Sequence, residues 1–137
     1  MVKLIMGLDG SGKTKTLIDL VREAIDHEQG DVVCIEKSKH LTYDIPYQVR
    51  LIRTDDYAVK GNTMLYGFLS GLHAGNYDIT HIFIDNFFKL VKDKSDEAVT
   101  TFFTWLCSFA EREHIDFVVS VTCDKETAPA ILKELSV

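Results

Sequence analysis

An apolar run at residues 2–6 opens directly into GLDGSGKT, Gly7 to Thr14, and a stretch of helical period follows at once. No other feature of the chain constrains its fold as much. A buried strand that empties into a glycine-rich turn and re-emerges as a helix sets up a strand–crossover–strand unit, and hence a parallel sheet. The glycines let backbone N–H groups turn inward around oxygen atoms without side-chain clash. The helix N-terminus adds partial positive charge at the same point. Together these make a cradle for phosphate.

The rest of the chain fits that frame. The helix is expected over residues 13–28, with Leu17, Ile18, Val21, Ala24 and Ile25 at three- and four-residue spacing. Gly30 falls where a helix stop belongs. Further strands are expected at residues 31–36, 47–53, 80–85 and 116–121. Helices are expected at residues 62–75, 96–112 and 125–135, with Ser95 as cap of the second. Residues 86–95 read either as a short helix or as an irregular segment. With 137 residues, 46% of them hydrophobic and 26% charged, the chain suits a single domain spanning residues 1–137. The predicted class is α/β: a three-layer α/β/α sandwich with a mostly parallel sheet of about five strands.

Gly7, Gly12, Lys13 and Thr14 match G-x-x-x-x-G-K-[ST], and the stretch resembles the Walker A motif of the P-loop NTPases. That resemblance implies a nucleotide-binding set of Gly7, Leu8, Asp9, Gly10, Ser11, Gly12, Lys13, Thr14 and Lys15. Lys13 would reach the β- and γ-phosphates, and the Thr14 hydroxyl would ligate Mg²⁺. HIFID ends in Asp85, which resembles the Walker B aspartate and would share the metal. Asn86 follows, where many hydrolysing members carry a glutamate. In the RecA-like branch the catalytic glutamate ends the strand after the Walker A helix, and Glu36 stands there. Its alternative is a solvated acid at a strand end. Thr122 stands where RecA-like proteins often place a polar residue that senses the γ-phosphate. The resemblance leaves two strand orders open. In the RecA-like order, the strand at 116–121 lies between the loop strand and the Asp85 strand. In the kinase and GTPase order, those two strands are neighbours.

The expected activity is that of a slow RecA-like ATPase, with ATP and Mg²⁺ as cofactors and catalytic roles for Lys13, Glu36 and Asp85. ATP is preferred to GTP because TCDK, residues 122–125, does not match N-K-x-D. The alternatives are a small-molecule kinase, which usually needs an arginine-bearing lid, and a nucleotide-dependent switch without turnover. The net charge of −6 gives no sign of nucleic-acid binding, although it leaves a local basic patch open. EKSKH and VKDKS place lysines near the expected carboxyl ends of strands, where ligands of open α/β sheets bind. Arg50 or Arg53 could serve a neighbour's nucleotide, and Trp105 could touch a partner. An exposed edge at the loop strand would make the chain a homo-oligomer. Cys34, Cys107 and Cys123 are scattered, which favours reduced thiols and a cytoplasmic location. No apolar run approaches a membrane span.

Overall fold

The computed structural model describes residues 1–27, 30–38, 41 and 44–137. Five strands form one all-parallel sheet: β1 (Val2–Gly7), β2 (Asp31–Glu36), β3 (Arg50–Arg53), β4 (Ile79–Ile84) and β5 (Asp116–Thr122). Among the described residues five α-helices cover it: α1 (Lys13–His27), α2 (Gly61–Gly75), α3 (Phe87–Leu90), α4 (Asp96–Glu113) and α5 (Ala130–Leu135). The spatial order is β1-β5-β4-β2-β3. Of the two arrangements open from sequence, this is the one that separates β1 from β4 by β5.

The layers follow from strand alternation. Ile5, Cys34, Phe83 and Val118 point to one face and pack with Leu17 and Val21 of α1. Leu4, Ile35, Ile84 and Val119 point to the other, against Leu65 and Leu69 of α2 and Phe102, Phe103 and Leu106 of α4. Both faces are covered, as a parallel sheet requires. Trp105 is half-buried, as expected of a residue off the main apolar stripe. Its ring stands edge-on to Tyr66 at 4.6 Å and stacks on Phe109 at 4.9 Å, tying α4 to α2.

Some boundaries differ from the sequence expectation, each for a local reason. β3 begins at Arg50 because the preceding residues turn, with Val49 N–H donating to the Pro46 carbonyl at 3.0 Å. The last helix begins at Ala130, not 125, because Pro129 disfavours helical backbone before it and lacks an N–H. The Ser95 cap is present: its Oγ accepts from Ala98 N–H at 3.3 Å. Residue 28, the expected end of the first helix, lies outside the described residues.

Gly30 does more than end a helix. A Cβ there would lie 2.1 Å from Thr80 Cγ2 and 2.7 Å from the Asp78 carbonyl. The backbone entering β2 therefore passes directly against the start of β4. Gly30→Ala is expected to destabilise the fold by about 1–3 kcal/mol through overpacking. A lowered urea midpoint at unchanged slope checks it. An unshifted midpoint would show that the contact relaxes without cost.

β1 forms one edge of the sheet. Near the C-terminus the chain returns to it: Ser136 bridges Leu4 in parallel, and Val137 N–H donates to the Leu4 carbonyl at 3.1 Å. Among the described residues, no helix is long and apolar enough to cross a membrane.

Candidate functional site

The site lies at the carboxyl ends of the strands, where β1 passes into α1. Gly7 ends β1, and its carbonyl accepts from Cys123 N–H at 3.0 Å, which pins the loop's first residue to the segment after β5. Gly10 and Gly12 have φ of +79° and +87°. These left-handed values favour glycine and turn the chain tightly round. Leu8, Asp9, Ser11 and Lys15 are exposed. Ser11 N–H donates to the Leu8 carbonyl at 3.2 Å. The N–H groups of Gly10, Gly12, Lys13 and Thr14 donate to nothing among the described residues. Such orphan donors at a helix start are the basis of anion binding.

Lys13 is 8% exposed, low for its type. Its Nζ folds back to the Leu8 carbonyl at 2.8 Å. The ammonium is thus held over the loop rather than released into solvent.

Thr14, one residue into α1, turns its Oγ1 to Asp85 Oδ1 at 3.4 Å. Asp85 follows β4 directly and is 3% exposed. Its backbone N–H donates to the Ile35 carbonyl at 2.9 Å, continuing the β4–β2 pairing. Its carboxylate is fixed from two more sides. Ser120 Oγ donates to Oδ1 at 2.7 Å, and Asn86 Nδ2 to Oδ2 at 3.2 Å. Asn86 sits at φ +53°, and its N–H reaches Ser120 Oγ at 2.8 Å. Thr122 Oγ1 lies 3.5 Å from Asn86 Oδ1. Sequence reading missed Ser120. The available signal was its spacing of two from Thr122, which puts both hydroxyls of β5 on the face that carries Asp85.

Glu36 ends β2 on that same face, beside Asp85 across the β2–β4 pair. It is not the solvated acid of the alternative expectation, being 2% exposed. Oε1 accepts from Leu41 N–H at 3.1 Å, and Oε2 faces Arg53 Nε at 3.9 Å. Arg53 therefore answers a charge of its own chain, and Arg50 Nη2 lies 3.5 Å from Tyr57 Oη. Cys34 is buried one strand step below. Burial, then the charges of Asp85 and Glu36, push its thiol well above the usual range and leave it unreactive.

No group of three or more His, Cys, Asp or Glu side chains converges among the described residues. Thr14 Oγ1 and Asp85 Oδ1 are hard oxygen donors that meet beside the loop. A scan against protein-family models finds no match, and a search of curated proteins finds no relative.

Proposed function

We propose that this protein binds Mg-ATP at the loop of residues 7–14 and hydrolyses its terminal phosphate slowly, as a small P-loop ATPase of the RecA-like branch. One observation carries the reading. Thr14 and Asp85, 71 residues apart in sequence, meet at 3.4 Å beside a helix start with unused N–H donors. Packing alone gives no reason for a buried carboxylate to face a hydroxyl there. The strand order supports the RecA-like branch, since β5 stands between β1 and β4.

The donor set suits magnesium. One hydroxyl and one carboxylate are few ligands for a hard octahedral ion, which takes its remaining oxygens from phosphate and water. Bound there, the ion would neutralise charge on the β- and γ-phosphates. Thr14 and Asp85 would hold it, while Ser120 and Asn86 keep the Asp85 carboxylate aimed. Lys13 would exchange the Leu8 carbonyl for phosphate oxygen. Glu36 is the candidate to orient or deprotonate the attacking water.

Glu36→Gln separates two readings. If Glu36 is the base, turnover falls by about 10²-fold or more while Mg-ATP affinity stays unchanged. Equal turnover in both proteins would remove Glu36 from the chemistry. A second reading, a nucleotide-dependent switch with no useful turnover, is favoured by the hold that Leu41 and Arg53 have on Glu36. Tight binding with no phosphate released by wild type would establish it. Self-association through the β1 edge is a further part of the proposal, although Ser136 and Val137 already occupy that edge at Leu4. Light scattering that stays monomeric across concentration would remove it.

A further inference from the structure

The two lysine-bearing segments meet over α3. A cavity of about 500 Å³ there is lined by Lys37, Ser38, Phe88, Lys89, Lys92 and Lys94. Among the described residues no acid lines it, in a chain whose net charge is −6. Two nearby acids are already engaged, while Asp9 lies across the adjoining cleft. Asp55 pairs with Lys37 at 3.2 Å, and the Asp93 carboxylate accepts from Ser95 N–H at 3.0 Å. That hydrogen bond holds Asp93 below its ordinary pKa. Lys89 and Lys92 form no ion pair or side-chain hydrogen bond among the described residues. Lys94 Nζ lies 5.3 Å from the centre of the Phe88 ring. Lys39 and His40, the rest of the first segment, lie outside the described residues.

We propose that this cavity is a site for a second ligand, a phosphate-bearing small molecule with a flat or apolar group. Clefts lined by one sign of charge concentrate the opposite sign. Lysine ammoniums are point charges that suit phosphate without demanding a planar partner. Phe88 supplies the apolar wall. The volume falls within the range of about 300–1,000 Å³ typical of small-molecule sites. A nucleic-acid strand fits less well, because among the described residues Phe88 is the sole aromatic lining the cavity and a strand needs successive stacking faces.

The position adds a consequence. A smaller cleft of about 180 Å³ shares Phe88, Lys89 and Lys94, and reaches Asp9, Asn86 and Thr122. The second ligand therefore sits near the loop at residues 7–14, on the side of Asp9. That it neighbours a terminal phosphate rests on the ATP reading; the anion site itself does not.

The test uses inorganic pyrophosphate and adenosine monophosphate as probes, followed by amide chemical shifts in the wild type and in Lys13→Ala. Both probes are expected to move the amides of Lys89, Lys92 and Lys94 in both proteins, with Kd of about 1 mM or tighter. Adenosine monophosphate should also move the Phe88 ring. The double variant Lys89→Glu, Lys92→Glu should weaken both at least about tenfold at unchanged Tm, since both side chains are exposed. No shift from either probe overturns the proposal. So do shifts that vanish in Lys13→Ala, which would mean one site, and binding of a single-stranded oligonucleotide alone. Shifts at the lysines in a wild type that binds no Mg-ATP would support this site and sink the ATP reading separately.

Discussion

Replacing Lys13 by alanine is expected to weaken Mg-ATP binding by at least about a hundredfold while leaving the fold intact. Hydrogen bonds to charged groups contribute about 1.5–3 kcal/mol each, and an ammonium placed between two phosphates makes more than one. A factor of ten in affinity corresponds to about 1.4 kcal/mol, so two such bonds account for the loss. The folded protein gives up the bond from Nζ to the Leu8 carbonyl and the packing of the buried stem. That carbonyl can turn to water at the rim, so the stability cost is about 1 kcal/mol. Equilibrium binding of labelled ATP and a thermal melt of each protein separate the two effects. Equal affinities would leave the loop a glycine-rich turn with no ligand.

The second large effect is expected of Asp85→Asn, which keeps the shape and removes the charge. Mg-ATP affinity should fall at least about tenfold and turnover should cease. Binding of ATP in chelator should change little, because Asp85 would act through the ion rather than on the nucleotide. Among the described residues the buried carboxylate faces Thr14, Ser120 and Asn86 and forms no ion pair. Asparagine keeps one acceptor oxygen but sets an amide N–H₂ against a donor that the carboxylate now accepts from, so a loss of about 1–2 kcal/mol of stability is expected beside the loss of metal affinity. A variant that melts early and still binds Mg-ATP normally would assign Asp85 to structure alone.

Local layout is legible in the sequence, and non-local pairing is not. The strand, glycine turn and helix at residues 2–27 are contiguous, so their pattern needs no knowledge of the rest of the chain. Asp85 stands out because it ends an apolar run. Ser120 does not stand out, because a single hydroxyl inside DFVVSV looks like a tolerated small residue. Only the pairing of β5 with β4 brings it to Asp85. Strand order is likewise invisible, since nothing in one segment says which neighbour it will choose. Glu36 shows the same limit in another form. Its burial depends on Leu41 and on Arg53, which lies one strand away. The late start of α5 was readable from Pro129, whose missing N–H favours the start of a helix over its interior.

The place of β1 at the edge governs when the loop can be completed during synthesis. β1 pairs with β5, and the Met1 amine donates to the Ile115 carbonyl, 114 residues along. A nascent chain that has emerged only as far as α4 has already made its glycine loop. It lacks the strand that holds the loop's leading residue in register. Contacts of such sequence separation form late and slowly. Of the five strands, β1 is thus the first to be made and among the last to be seated, and its apolar side chains wait until β5 has been added. Conditions that stall translation before residue 116 should leave a product whose glycine loop is not pinned and whose first strand is unpaired and open to aggregation.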